Sequence, residues 1–338
     1  MRRVLLGFSG GIDSCTSVQR LKDMGYHPIA LTIDTIGDSN MLTSARERAL
    51  ALGIEWYVYD AREEFQRDII DYFCSEYAKG HTPAPCTRCN THIKWRILAS
   101  VADTMDIEHI ATGHYFNVEH YDGLYYVAKG IDPIKDQSYY LWGLPQEILR
   151  RALTPMGNAI KSDVKQAFRD KSESMGVCFL QGSPYADFLA EHGVEMIDGE
   201  VVDRCGSVCG RHKGIARYTI GQRRGEGIPE GKRVIAIDAY ENRIDIDMHQ
   251  VDNGIARHRL TVSCYNIVNE NELLTAKDIT IKIRGIGINP EHSVSVERVE
   301  DGYVVTTDDP AFAPAVGQPI VFYRDNLVIG GGIVVGFN

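Results

Sequence analysis

A glycine-rich turn set between a short apolar run and a helical pattern constrains this chain more than any other feature. Val4-Leu5-Leu6-Gly7-Phe8 leads straight into Ser9-Gly10-Gly11-Ile12-Asp13-Ser14, and a helically spaced stretch, Ser14–Met24, follows. The alternation continues. β-rich runs at Ile29–Asp34, Glu55–Tyr59 and His109–Thr112 interleave with helical stretches at Ser44–Leu52 and Ile93–Met105, the last with Ile93, Ile97, Leu98 and Val101 on one face. Such a pattern predicts a parallel sheet with helices on both faces, and ligands at the carboxyl ends of its strands. The first residues lack the long apolar stretch and cleavage site of a secretory signal, so they read as a buried first strand of a cytoplasmic protein. No apolar run reaches the about 18 residues of a membrane span.

The second half reads differently. Helical stretches are expected at Gln146–Leu153 and Ser162–Lys171. Beyond roughly residue 195, glycine turns separate β-branched runs at Val234–Asp238, Arg243–Asp247, Ile279–Ile283, Val294–Val299, Tyr303–Thr307, Ile320–Tyr323 and Leu327–Gly330. Evenly spaced short strands predict small β modules, the last a barrel. The 338 residues suffice for two or three domains.

A net charge of −10 is a poor guide to partners, because a nucleic acid needs only a local basic face. One stretch offers it: between residues 211 and 233, seven basic residues stand against Glu226 and Glu230. In a reducing compartment the eight cysteines are thiols, ligands or catalysts rather than disulfides.

The phosphate chemistry comes first. In Gly7-Phe8-Ser9-Gly10-Gly11-Ile12-Asp13-Ser14, glycines let the backbone approach a polyanion, and a helix N-terminus stabilises its charge. The Gly-Lys-Ser/Thr ending of a Walker loop is missing. Thiol chemistry comes second, in Gly80-His81-Thr82-Pro83-Ala84-Pro85-Cys86-Thr87-Arg88-Cys89-Asn90. The prolines impose an extended approach, and a helix starting near Asn90 or Thr91 would lower the Cys89 pKa, helped by Arg88 and Lys94. Half of a zinc site completed by Cys205 and Cys209 is the alternative. Ala111-Thr112-Gly113-His114-Tyr115 places a glycine at a strand end, and Lys135-Asp136-Gln137-Ser138-Tyr139-Tyr140 is a polar cluster before aromatics. Cys178 in Gly176-Val177-Cys178-Phe179-Leu180 reads, on its neighbours alone, as core.

Ser-Gly-Gly-x-Asp-Ser resembles the pyrophosphate loop of enzymes that cleave ATP between its α and β phosphates. With Tyr218-Thr219-Ile220-Gly221-Gln222-Arg223-Arg224-Gly225, Val316-Gly317-Gln318 and Gly330-Gly331-Gly332, the ordered motifs resemble the tRNA-specific 2-thiouridylases (the MnmA family) over essentially the whole chain. The resemblance implies an α/β pyrophosphate-loop domain at 1–182, a small central β-rich domain at 183–252 and a C-terminal β-barrel that grips tRNA at 253–338. It implies that Gly7, Phe8, Ser9, Gly10, Gly11, Ile12, Asp13, Ser14, Ile33 and Gly113 contact ATP, with Asp13 on Mg2+. Cys89 would be the catalytic cysteine and Cys178 the persulfide carrier. Ala84, Pro85 and Cys86 would face the target base, and His114, Lys135, Asp136, Gln137, Arg284, Gly285 and Gln318 would contact tRNA. The implied reaction replaces the C2 oxygen of a uridine at wobble position 34 with sulfur: ATP adenylates the oxygen, and a sulfur donor (a persulfide relay protein or sulfide) supplies the nucleophile. The base must leave its stack to reach the protein.

One departure matters. The family pattern has Asn-Pro-Asp where this chain has Ala84-Pro85-Cys86, so a carboxylate is missing and a thiol is gained. The loop after Asp34 and the stretch between Ser162 and Cys178 are also short. Cys86, Cys89 and Cys178 form the ligand set of a [4Fe–4S] cluster with one open iron, so cluster and persulfide schemes both stand at this point. Two other functions are compatible with the phosphate loop: a synthetase adenylating a small molecule, and a tRNA-binding paralogue with altered catalysis. ATP–pyrophosphate exchange with and without tRNA separates them.

Overall fold

Three consecutive fully buried side chains, Val4, Leu5 and Leu6, mark the first strand as one covered on both faces. The computed structural model describes residues 2–166, 176–248, 255–283, 289–290 and 292–337. In chain order the first domain supplies β1 (Arg2–Gly7), β2 (Tyr26–Asp34), β3 (Trp56–Asp60), β4 (His109–Thr112), the hairpin β5 (Phe116–Tyr121) and β6 (Leu124–Lys129), and β7 (Ala152–Leu153). Its sheet runs β3-β2-β1-β4-β7, with parallel pairing throughout.

Helices cover both faces. On one, α1 (Ile12–Asp23) and α2 (Ser39–Ala51) pack Cys15, Val18, Leu21, Ala45 and Ala49 against Val4 and Leu6. The α2 N-terminus is fixed by Asp38, whose carboxylate accepts from the backbone N–H of Asn40 and Met41. On the other face lie α3 (Arg62–Phe65), α4 (Asp71–Ala78), α5 (Pro85–Cys89) and α6 (Trp95–Thr104), with Trp95, Leu98 and Ala102 against Leu5. Two π-turns, Gln66–Ile70 and Asn90–Lys94, link α3 to α4 and α5 to α6. Further helices are α7 (Gln146–Leu149), α8 (Lys161–Gln166) and α9 (Tyr185–Glu191).

The helix expected over Gln146–Leu153 stops at Leu149. Ala152 and Leu153 instead pair with Ile110 and Ala111, because the open edge of β4 satisfies their backbone groups. The expected Ser162–Lys171 helix is present over α8, and residues 167–171 lie outside the described ones.

The central domain is a four-stranded sheet, order β10-β11-β8-β9, from β8 (Asp198–Val202), β9 (Val208–Lys213), β10 (Lys232–Asp238) and β11 (Arg243–Met248). It closes on Val201, Ile215, Tyr218, Val234, Ile244 and Ile246. The C-terminal β-barrel domain comprises β12 (Ala256–Ile267), β13 (Ile279–Lys282), β14 (Val294–Val299), β15 (Gly302–Phe312), β16 (Pro319–Arg324) and β17 (Leu327–Phe337). Leu260, Val262, Tyr303, Val305, Phe322 and Ile329 lie in its core.

The β5–β6 hairpin belongs to this last sheet although it sits in the first half of the sequence: Ala128 pairs with Leu327 and Val127 with Val328. Tyr139 adds to the same junction, its hydroxyl donating to the carbonyls of Ile283 (2.6 Å) and Pro319 (3.2 Å). Among the described residues, no helix is long and apolar enough to cross a membrane.

Candidate active site

The loop Gly7–Ser14 lies at the carboxyl end of β1 and opens α1, as its sequence requires. Phe8 anchors it in the core: its N–H donates to Leu31 O (2.8 Å), and its carbonyl accepts from Thr32 Oγ1 (2.7 Å). Gly10 has φ +69°, and a Cβ there would come within 2.8 Å of Ala45 Cα, so only glycine fits against α2. Ser14 Oγ donates to Gly11 O (2.9 Å), and the Gly11 N–H donates to Ser9 Oγ (3.2 Å). Ile12 is a buried anchor beside Tyr115, Met156, Ala159 and Val164. The loop thus leaves the helix N-terminus of α1 facing the end of the sheet, a setting that favours an anion.

Gly113, at the end of β4, abuts this loop. A Cβ there would stand 3.1 Å from Ser14 N and 3.2 Å from the Asp13 carbonyl carbon, so the glycine admits α1 itself. Two groups converge on Asp13, Tyr115 from the fourth-strand motif and Lys161, which no motif contains. Tyr115 donates its hydroxyl to Asp13 Oδ1 (2.7 Å), and Lys161 Nζ bridges both carboxylate oxygens at 2.6 and 2.8 Å. Nothing local flags Lys161, which is 148 residues distant. Ile33, at the end of β2, is part-buried against the cores on the α6 face.

The thiol centre departs from expectation at its helix start. Helix α5 begins at Pro85 rather than near Asn90, because proline at the first helical position gives up no hydrogen bond. Ala84 is its N-cap, and its carbonyl accepts from both the N–H and the hydroxyl of Thr87. Cys89 therefore sits a turn inside the helix and is buried, while Cys86 is part-buried. Burial dominates: the Cys89 pKa is pushed up to about 11, with Lys94 pulling down and Cys178 and Cys86 pushing up. Burial likewise raises Cys86 against the pull of Lys94. The expected lowering is thus reversed. Arg88 does not assist, since its guanidinium donates to Asp68 O (2.7 Å) and lies over the Tyr72 ring.

Lys94 is the ammonium of this centre. A π-turn closes from i to i+5, so Asn90–Lys94 carries Lys94 round to the Cys89 face. Desolvation disfavours its charge, but Cys89, Cys178 and Cys86 outweigh that and raise its pKa. All three thiols thus lie within electrostatic reach of one ammonium. Cys178 opens a single turn, Cys178–Leu180, in which Phe179 is buried and Cys178 exposed, so the core reading of this thiol was wrong. Cys205 and Cys209 lie exposed at the β8–β9 turn, and among the described residues no three His, Cys, Asp or Glu side chains converge on a single metal ion. That removes the zinc alternative.

His114 links the two centres. Its Nδ1 lies 2.8 Å from Thr112 Oγ1, and desolvation, then Lys94, hold its pKa down at about 3. Gln137 brackets Tyr115, accepting from its N–H (2.9 Å) and donating its own N–H to the Tyr115 carbonyl (2.8 Å). Asp136 caps its own turn through Gly130, Ser138 N–H and the Ser138 hydroxyl, and Lys135 N–H donates to Asp132 O. Gln318 is buried, its amide oxygen accepting from Ala315 N–H (3.2 Å). Arg284 and Gly285 lie outside the described residues.

The approach to the thiols is where three domains meet. Thr82 N–H donates to Val316 O (2.8 Å), its hydroxyl pairs with Thr219 (2.7 Å), and Gly80 abuts Ile237. The basic run nearby is not one uniform face. Arg211, Arg223 and Arg224 are exposed, but Lys213 pairs with Asp198 (2.6 Å) and Arg233 is buried.

Three family models tile the chain in this order: a tRNA methyl transferase HUP domain over residues 2–182, a tRNA methyl transferase PRC-barrel domain over 186–247, and an aminomethyltransferase beta-barrel domain over 257–334. The tRNA-specific 2-thiouridylase MnmA 2 of Phocaeicola vulgatus is 38% identical, the match covering 98% of each chain. The chain belongs to the MnmA family. The MnmA 1 protein of Bacteroides fragilis is also 38% identical (98% of this chain, 97% of that one), and the MnmA 1 protein of Clostridium botulinum 33% (98% and 99%). Full-length coverage means that the MnmA architecture of α/β domain, small central domain and barrel extends to this chain whole.

Proposed function

We propose that this protein is a tRNA-uridine 2-sulfurtransferase that spends ATP to replace the C2 oxygen of the uridine at wobble position 34. One observation carries the reading: Gly113 and Tyr115 both meet Asp13 of the glycine loop, while His114 between them is coupled to Lys94 of the thiol centre, within an architecture that matches MnmA proteins over its full length.

A uridine C2 carbonyl is a poor electrophile with a poor leaving oxygen. Attack of that oxygen on the α-phosphorus expels pyrophosphate and makes AMP the leaving group. The Ser9–Ser14 loop suits the pyrophosphate, and the Asp13 carboxylate would suit Mg2+ once Lys161, which now holds both its oxygens, lets it go. A sulfur nucleophile then attacks C2 and AMP departs. His114, neutral at physiological pH, is suited to hydrogen-bond the RNA rather than to pair with its phosphates. The exposed Arg223 and Arg224 suit that phosphate role.

Sulfur delivery rests on Cys86, Cys89 and Cys178. In the persulfide form, the exposed Cys178 receives sulfur from a donor and its terminal sulfur attacks C2 as AMP leaves. The Cys89 thiolate then attacks Cys178 Sγ, expelling the 2-thiouridine sulfur and forming a Cys89–Cys178 disulfide that an external thiol reductant must reduce before the next turnover. Lys94 stabilises each thiolate in turn. The second form is motivated by Cys86 itself: a third thiol stands where the family pattern has a carboxylate, and it is coupled electrostatically to Cys89 and Cys178, the donor type that a [4Fe–4S] cluster takes. Such a cluster, when bound, supplies an open iron that holds sulfide.

The test incubates the anaerobically purified protein with ATP, Mg2+, unmodified tRNA and either sulfide or a persulfide donor. Formation of 2-thiouridine with AMP and pyrophosphate is expected. ADP and phosphate as products, or exchange of ATP and pyrophosphate without any tRNA, would sink the assignment.

A further inference from the structure

We propose that Lys161 is the phosphate-binding cation of the nucleotide site, held by Asp13 in the free protein and passed to the pyrophosphate portion of ATP when metal-bound nucleotide enters. The proposal rests on the ATP reading above. The loop Gly7–Ser14 carries no lysine of its own, unlike a Walker loop, whose lysine reaches the β and γ phosphates. A polyphosphate there needs a compensating cation from elsewhere in the fold.

Lys161 is placed to supply it. Its side chain is only 6% exposed, and its ammonium lies 2.6 and 2.8 Å from the two oxygens of Asp13, in the first turn of α1. Its backbone is fixed independently, because Lys161 N–H donates to Asp132 Oδ2 (2.9 Å). A buried ammonium must keep an anionic partner. Asp13 is that partner now, with Tyr115 donating to Oδ1 (2.7 Å) and its ring 5.6 Å from the ammonium. A carboxylate chelated by a lysine on both oxygens has little left for a metal ion. When Asp13 turns to Mg2+, the four-carbon stem of Lys161 need only pivot about a fixed Cα for its charge to meet the phosphates at the α1 N-terminus. The exchange keeps both charges paired before and after binding, so neither state strands an ion.

Equilibrium binding of ATP, AMP and inorganic pyrophosphate to the full chain, with Mg2+, tests this. Lys161→Gln should weaken ATP and pyrophosphate by about 10- to 100-fold, the loss expected for a charged hydrogen bond, while AMP affinity changes by only a small factor. Lys161→Arg keeps the charge and should retain most of the ATP-over-AMP preference. Where the glutamine variant fails to fold, as read by its thermal midpoint, Lys161→Met gives the same comparison. Unchanged ATP affinity in a folded neutral variant, or equal losses for ATP and AMP, overturns the proposal. Wild-type protein that binds no ATP would remove the ATP reading itself, a failure visible before any variant is made.

Discussion

The Tyr115 hydroxyl donates to Asp13 Oδ1 at 2.7 Å and joins two motifs that lie 102 residues apart. Gln137 holds the Tyr115 backbone from both sides, so the Lys135–Gln137 turn positions a tyrosine that in turn orients the carboxylate of the phosphate loop. The same turn thereby bears on the Gly7–Ser14 loop, in addition to the RNA contact that the family resemblance implies for it.

Asp13→Asn should abolish tRNA adenylation while leaving tRNA binding mostly intact. The substitution also removes the anionic partner of Lys161, so the free protein should lose about 1–3 kcal/mol of stability. Urea unfolding measures the second effect, and labelled-ATP product analysis the first. Retained AMP release would place the metal-binding carboxylate elsewhere.

His114 should make the protein acid-sensitive. Its pKa falls from the ordinary 6.5 to about 3, so the folded state favours the neutral ring. A depressed group contributes its stability in full above pH 6.5 and loses it as pH falls from there toward 3. Wild-type stability should therefore drop relative to His114→Gln across that window. Parallel denaturation curves for the two proteins at pH 7, 5 and 4 would show that the ring titrates normally.

Arg223→Ala combined with Arg224→Ala should weaken tRNA binding and flatten its salt dependence. Two lost phosphate contacts lower the log–log slope by about 1–2 units. Because Lys213 and Arg233 are paired or buried, substituting them should change the slope less. An unaltered slope in the double variant would put the RNA backbone on another surface.

In the cluster form, Cys86→Ala should abolish thiolation without changing ATP binding, whereas the persulfide form leaves thiolation largely intact in that variant. If the three thiols hold a cluster, the anaerobic wild type carries about four irons, Cys86→Ala loses them, and Cys86→Asp retains them poorly. Iron analysis and the visible spectrum read this directly. A colourless, iron-free enzyme that thiolates fully from a persulfide donor returns Cys178 to the role of sulfur carrier.

Tyr139→Phe should loosen the junction between the first domain and the barrel. The buried hydroxyl serves two carbonyls, Ile283 and Pro319, so its removal should cost about 1–3 kcal/mol. Chemical denaturation against wild type is the measurement. A neutral result would show that the β6–β17 pairing holds the two units together unaided.

What the sequence determined by itself is the set of local alternations and motifs. β1 to β4 and the helices α1 and α2 were readable because an apolar strand, a glycine turn and a helical face each leave a pattern within a dozen residues. The glycine turn between β1 and α1 was legible for the same reason, and the ordered motifs named the family. The β5–β6 hairpin went unnoticed despite its Asp122-Gly123 turn, because its partner strand lies near the opposite end of the chain. Tertiary structure alone decided which cation meets Asp13, since Lys161 pairs across 148 residues. It also reversed the Cys89 prediction: a helix N-terminus favours the thiolate through charge, but burial removes water from it, and inside a packed helix the second effect is larger. Sequence spacing fixes which groups can share a turn; the dielectric around each group, and the distant partner it meets, exist only once the chain has folded.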